Sequence, residues 1–567
     1  MTVRSKQIVL ALVLIVFLFV VPLVAIMSWM PARTPVAGNA AIVIDIAGEM
    51  LEYHPSFSSG LFFGSRELTL TEALAAIDAA ARDAKVKAVV LKLQPSGAGI
   101  AKCEELSAAI SRFKQSGKAA IAFSPVLTGY EYLVACAADS IFMPRAGYLV
   151  ITGPASSATF IRGTFDKLGI NPNIHRIEDY KSAAEMYTET KRTPASREMT
   201  EWLLGDLFEK YVTDIAATRD ESADKVLAWI DRGLYSPARA LENGLIDGIR
   251  YWDEIEARFE AEDVELVGAH EYLRARRAAP SLDGPRIAVI HAQGVITMGE
   301  SGYDPISGLT MGSQTIIEEL RKAREDKTIK AVILRVDSPG GDGLAGDMIS
   351  REVGMTSAQK PVVVSMSDVA ASGGYEISYR ADQIVAMAGS ITGSIGSITG
   401  KMNMRGFYNK LGITKDEIGT GRNSLIFSDY RDFSEEEWEL VKEEHWQFYR
   451  SWIADVARFR DMSSDSVDAL GRGRVWTGAQ AASNGLIDDI GDLSRAVGVA
   501  CARAGVADSS RVVLVHFPKR VGLLQQFLSR SIFEDAVSYA IHRALVGDEA
   551  SRGSLLIQHR WPGETIQ

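Results

Sequence analysis

Two tandem copies of an α/β domain, behind one apolar N-terminal segment, are what this chain of 567 residues predicts. Three observations lead there. The chain repeats itself at a near-constant interval. Each copy alternates short Val- and Ile-rich runs with amphipathic helices, and residues 8–27 carry no charge.

The repeat is read directly. Lys87-Ala-Val-Val-Leu-Lys-Leu returns as Lys330-Ala-Val-Ile-Leu-Arg-Val, and Lys167-Leu-Gly-Ile returns as Lys410-Leu-Gly-Ile, both 243 positions on. Asn243-Gly-Leu-Ile-Asp returns as Asn484-Gly-Leu-Ile-Asp, 241 positions on. Register kept over most of each half marks a duplicated domain. The runs 41–46, 88–93, 287–291, 331–336 and 362–366 read as buried parallel strands. Helices over 71–84 and 313–326 fall between such runs, giving the strand–helix–strand order of a parallel sheet. The expected organisation is a stub, anchor and juxtamembrane segment over 1–36, a first repeat over 37–276 and a linker over 277–285. A second repeat over 286–505 and a C-terminal extension over 506–567 complete it. The extension holds one strand (512–516) and a helical stretch (522–545) whose apolar face is expected to pack on the second repeat.

At 47% apolar and 23% charged residues the composition is that of a folded protein, and its length asks for more than one core. The net charge of −11 offers no basic face, which argues against nucleic acid as a partner. Cys103, Cys136 and Cys501 form neither a zinc spacing nor a disulfide framework, and no metal-ligand cluster is visible, so no cofactor or metal is expected. Residues 8–27 are long enough to cross a bilayer. Arg4 and Lys6 precede them, which places the N-terminus in the cytoplasm and the body outside; Arg33 weakens that asymmetry without reversing it. The run ends in Trp29-Met30-Pro31 rather than a small-residue cleavage site, so an uncleaved anchor in the inner (cytoplasmic) membrane is expected.

The chemistry gathers at three places. Ser372, in Ala371-Ser372-Gly373-Gly374, follows an apolar strand and can present its hydroxyl as a nucleophile. Alone, it reads equally well as a helix N-cap. Upstream, Val336-Asp337-Ser338-Pro339 runs into Gly340-Gly341, where the backbone can turn and point amides into a cavity. The amides of Gly341 and Gly373 are then candidate oxyanion donors, the plainer reading being a strand–helix turn. Lys181, in Tyr180-Lys181-Ser182-Ala183, can serve as a base only if a dry site keeps its amine neutral. Most lysines are solvated surface charges. Ser394, in Thr392-Gly393-Ser394-Ile395-Gly396, could orient that amine.

In this order, Val-Asp-Ser-Pro-Gly-Gly, Ala-Ala-Ser-Gly-Gly-Tyr and Thr-Gly-Ser-Ile-Gly resemble the bacterial signal peptide peptidases (protease IV) in their long, duplicated, membrane-anchored form. The resemblance covers about residues 40–500. It implies a fold related to the Clp protease and crotonase superfamily, and a Ser/Lys dyad with Ser372 as nucleophile and Lys181 as general base. Ser394 matches the serine that hydrogen-bonds the lysine amine. Peptide substrates in or near the membrane are also implied, released signal peptides and other apolar, extended segments among them, together with a homo-oligomer, a tetramer. Glu376 departs from the pattern, following Tyr375 where an apolar or aromatic residue is expected.

The two copies have lost opposite parts of the site. Lys181 maps onto Ser424 or Arg422 in the second copy, and Ser372 maps onto Leu127 or Gly129 in the first. The first copy also has Gln94-Pro95-Ser96-Gly97 in place of Ser-Pro-Gly-Gly, and Pro154 where the second has Ser394 nearby. One split site is expected, with nucleophile and oxyanion donors in the second copy and the base in the first, drawn from the same chain or a neighbour. None of the eight histidines falls within these motifs. Two readings compete: an acyl-thioester enzyme on the same fold, and a membrane scaffold without activity. The anchor and the joint presence of Ser372, Lys181 and Ser394 speak for the peptidase.

Overall fold

The computed structural model describes residues 38–54, 67–277, 284–304, 306–519 and 564–566. The apolar segment 8–27, the centre of the linker and the stretch 522–545 lie outside them. Among the described residues no helix is long and apolar enough to cross a membrane.

The duplication holds strand by strand. The first sheet runs Gly248–Ile249, Ser140–Met143, Ala119–Phe123, Val86–Ser96, Ala40–Gly48, Glu265–Gly268, every pair parallel. The second runs Asp489–Ile490, Gln383–Ala386, Val362–Ala371, Ile329–Ser338, Arg286–Gln293, Val513–Phe517, again parallel throughout. That last strand moves a boundary. The second repeat is expected to end at 505, but Val513–Phe517 lies along Arg286–Gln293 from Arg286↔Val513 to Ile290↔Phe517. It is the counterpart of Glu265–Gly268, and belongs to the second sheet rather than to an appended extension.

Both faces of each sheet are buried, which is why the strands read as near-continuous apolar runs. In the second copy Ile287, Val289, Ala331 and Ile333 pack on Leu493, Ala496 and Ala500 of the helix Leu493–Arg503. Their neighbours Ala288, Ile290, Val332 and Leu334 face the other way, into a core with Ile316, Leu320 and Ile349. This alternation is the period-two geometry of a strand.

The copies differ where the second carries its site. Val362–Ala371 is one strand of ten residues whose end pairs with Ile391–Gly393, itself antiparallel to Val475–Thr477. In the first copy Pro125 stands where Asp368 would continue the strand. The counterparts Val126–Thr128, Tyr148–Val150 and Leu234–Tyr235 form a separate three-stranded sheet. Proline withholds a ladder donor and breaks the run. A short strand, Glu564–Ile566, pairs with Ser156–Ala158.

Two devices join the copies. Asn171–Arg176 of the first pairs antiparallel with Ile398–Asn403 of the second, from Arg176↔Ile398 to Asn171↔Asn403. Between the sheets lies a buried ionic network. Arg335, 1% exposed, donates to Glu52 (2.8 Å), Glu105 (2.5 Å), Ser365 (2.9 Å) and Ser367 (3.2 Å). Lys102 of the first copy donates to Asp337 of the second at 2.7 Å. The amides of Gly99 and Lys102, at the start of the helix Ile100–Lys114, hold the Asp368 carboxylate at 2.8 and 2.9 Å. A carboxylate at a helix N-terminus meets unpaired donors and a favourable dipole.

Candidate active site

The pairing of Asn171–Arg176 with Ile398–Asn403 delivers the first copy into the second. Just past it, the Ile177 amide donates to Ser397 O at 3.0 Å, and the Ile177 side chain enters the core of the second copy. Four residues on, Lys181 Nζ stands 2.9 Å from Ser372 Oγ, 2.9 Å from Ser394 O and 3.0 Å from Ser394 Oγ. Lys181, Ser372 and Ser394 are thus brought together within one chain. Lys181 is 5% exposed, and burial pushes its ammonium down to about 7, opposed by the Glu376 carboxylate.

Ser372 occupies the corner between Val362–Ala371 and the short helix Gly373–Glu376, at φ 55° and ψ −119°. L-residues rarely adopt this conformation, and it persists only where the surroundings impose it. Here the Ser372 amide donates to Gly393 O at 2.9 Å, while its carbonyl accepts from the amides of Tyr375 (3.0 Å) and Glu376 (2.9 Å). Ser394 also has a positive φ of 53°, and its amide donates to Arg474 O at 2.7 Å.

The glycine turn packs directly against this corner. Gly340 has φ +99°, and a Cβ there would meet Gly373 N at 2.6 Å and Ser372 Cβ at 2.7 Å. The turn is clamped by Ile296, whose amide donates to Gly340 O and whose carbonyl accepts from Asp342 N, both at 2.9 Å. The amides of Gly341 and Gly373 have no hydrogen-bond partner among the described residues. Both expected oxyanion donors therefore flank Ser372 unpaired. A cleft of about 940 Å³ opens over Ser372, Gly341 and Gly373, with Leu344, Phe427, Phe448 and Trp452 among its walls.

Several residues at or near the site escaped the sequence reading. Asp337, in the glycine-turn motif, accepts from Lys102 Nζ at 2.7 Å and from the Val369 amide at 3.2 Å, tying the turn to the strand that carries Ser372. Gly473 (φ +81°) lies against Lys181; a Cβ there would stand 2.6 Å from Lys181 Cβ and nearer still to its backbone nitrogen. Its signal was a Gly-Arg-Gly triplet outside every motif. The histidines are not all remote: His445 lines the cleft, 2.7 Å from Ser397 Oγ and 2.7 Å from His175. Nor does the absence of metal-ligand spacing carry over to three dimensions. His54, Glu72 and His270 present ligand atoms within 4.8 Å of one another in the first copy, sharing no residue with the cleft.

Comparison with known proteins makes this a serine peptidase. The profile of peptidase family S49 matches residues 112–266 and 355–507, one match in each copy. The chain is 35% identical over 462 residues to "Serine protease SPPA, chloroplastic" of Arabidopsis thaliana, an alignment covering 79% of this chain and 68% of that one. It is 30% identical over 518 residues to "Protease 4" of Haemophilus influenzae, covering 85% and 83%. A solved structure of a ClpP1 mutant from Listeria monocytogenes aligns at 13% identity and a TM-score of 0.25, covering 36% of this chain and 91% of its own. The chain belongs to peptidase family S49.

Proposed function

We propose that this serine peptidase is a membrane-anchored endopeptidase in which Lys181 of the first copy activates Ser372 of the second. The observation that carries the reading is the 2.9 Å approach of a buried lysine amine to a strained serine hydroxyl. A neutral amine has two N–H donors and one lone pair. Ser394 O and Ser394 Oγ take the donors, leaving the lone pair for the Ser372 proton. Ser372 then attacks the peptide carbonyl, whose developing charge falls between the Gly341 and Gly373 amides. Lys181 returns the proton to the leaving amine, and water repeats the cycle on the acyl-enzyme. A protonated lysine can do none of this, and burial is what keeps the amine available near neutral pH.

The apolar walls of the cleft favour extended apolar peptides, and released signal peptides are the substrates we assign. Residues 8–27 would hold the body on the extracytoplasmic side of the cytoplasmic membrane, consistent with Arg4 and Lys6. The contact between copies is heterologous, and such contacts close rings when repeated from chain to chain. Residues 414–419, the second-copy counterpart of Asn171–Arg176, form no strand. Leu411 (59%), Ile413 (44%) and Ile418 (88%) are exposed beside or within them. This open edge supports a homo-oligomer, for which we propose four chains. Full-length protein in detergent is expected to hydrolyse an apolar peptide ester, and Ser372→Ala is expected to abolish turnover. Turnover retained by that variant would refute the assignment.

A further inference from the structure

The duplication supplies an internal reference for Glu376. Its counterpart is Glu131, since Gly129-Tyr130-Glu131 matches Gly374-Tyr375-Glu376. Glu131 is 2% exposed and satisfied: its Oε1 accepts from the Ser96 amide and the Ser96 hydroxyl, both at 2.8 Å. In the second copy the matching turn reads Ser338-Pro339-Gly340-Gly341, and its one hydroxyl, on Ser338, donates to Gly294 O at 2.7 Å. Glu376 keeps the buried position, 4% exposed, without the donor. Among the described residues no hydrogen bond or ion pair reaches its carboxylate. A carboxylate held this deep without a protein partner, on the wall of a cleft, is open to a ligand.

Its surroundings indicate one. Glu376 lies one helical turn past Ser372 and lines the same cleft. Its carboxylate packs over Gly346, where a Cβ would overlap it, on the helix Gly343–Ser357 that leads out of the glycine turn. Because Ser372, Gly341, Gly373 and Glu376 line one cleft, a peptide carbonyl held between the two amides brings its residue's side chain into the space that Glu376 borders. The other acidic residues lining the cleft are Asp347, Glu444 and Asp455, while its lysine, Lys181, is engaged with Ser372. Arg380 is paired with Asp455 at 2.5 Å and lies outside the lining.

We infer that Glu376 forms the floor of a subsite for a basic side chain, lysine or arginine, on the residue whose carbonyl Ser372 attacks. This rests on reading Ser372 as the nucleophile. Leu344, Phe448 and Trp452 offer apolar surface to the methylene stem, and the carboxylate takes the cationic head. Burial, with Asp347 and Asp342 nearby, pushes the Glu376 carboxyl up to about 8, against the pull of Lys181 and Arg380. In the free enzyme near neutral pH it therefore holds a proton that a bound cation displaces. Selectivity for basic over apolar side chains rises with pH toward that value and levels above it. An acidic floor beside an apolar cleft suits peptides in which a basic residue borders an apolar run.

The test uses full-length protein and matched peptides carrying Lys, Arg or Leu at that single position. Hydrolysis is compared in wild type and Glu376→Gln, and binding to Ser372→Ala is measured by calorimetry. Wild type is expected to favour Lys and Arg over Leu by about tenfold in kcat/KM, increasingly so from pH 7 to 9, with Glu376→Gln erasing the preference. Ser372→Ala is expected to bind the basic peptides about tenfold more tightly than the Leu peptide. A preference for Leu in both measurements, or a basic preference unchanged in Glu376→Gln, overturns the subsite. Should Glu376→Gln fail to fold, the wild-type ratio and the calorimetry decide alone. If Ser372→Ala still hydrolyses peptides, the nucleophile assignment fails instead, and the affinities still report on the subsite.

Discussion

Lys181 and Ser372 are 191 residues apart in the chain and 2.9 Å apart in space, one in each copy of the duplicated domain. The cross-copy strand pair Asn171–Arg176 with Ile398–Asn403 makes this approach possible within a single chain. Mixing Lys181→Ala with Ser372→Ala chains is therefore expected to restore no activity, because neither chain holds a complete site. Recovery of a quarter or more of wild-type turnover, roughly what random exchange between chains would give, would place the base on a neighbour.

Gly473 bears on the same approach from the other side. A Cβ there would collide with the backbone of Lys181, and its φ of +81° disfavours any L side chain. Gly473→Ala is expected to displace the amine and lower kcat by about a hundredfold, while the fold, followed by circular dichroism, is kept.

Ser394 holds the amine without lining the cleft. Ser394→Ala is expected to lower kcat by about tenfold to a hundredfold and to leave KM nearly unchanged, as for an interaction that matters only to the reacting groups. An effect confined to KM would assign Ser394 to substrate binding instead.

Arg335 is the centre of the ionic contact between copies. Replacing it by methionine leaves Glu105, 1% exposed, without its cation and Glu52, equally buried, with only Lys102 at 3.9 Å. Arg335→Met is expected to cost about 3–5 kcal/mol, read as a lower urea midpoint. Adding Glu105→Gln removes one stranded charge and is expected to recover part of the loss.

The sequence exposed what repeats and what is local. The offset of 243 predicted the duplication, and the runs 88–93 and 331–336 fall within the strands Val86–Ser96 and Ile329–Ser338. Helices expected over 71–84 and 313–326 form as Leu70–Arg82 and Ser313–Glu325. The site residues were legible because each sits in a short motif at a strand end. What joins the copies was not. Lys102 belongs to no motif, yet it lies 2.7 Å from Asp337, 235 positions away. The pairing of Asn171 with Asn403 leaves no trace in local periodicity, since either strand alone is a short, half-exposed segment. Val513–Phe517 reads as a strand of an extension, because a sheet partner 227 positions back is invisible to a local pattern. Glu376 stands in the sequence only as a departure from pattern; the contrast between its unpaired carboxylate and Glu131, held by Ser96, exists only in the structure.

The most direct test of the account is the pH dependence of kcat/KM for an apolar peptide ester, measured from pH 5 to 9 on wild type and Lys181→Ala. A base that must be neutral, with its ammonium held down to about 7, gives wild-type activity rising tenfold per pH unit below that value and levelling above it. Lys181→Ala is expected to lose that limb and about a thousandfold of the plateau rate. A Lys181→Ala enzyme that keeps both the rate and the limb would show that the proton goes elsewhere, and that the approach of Lys181 to Ser372 is not the catalytic contact.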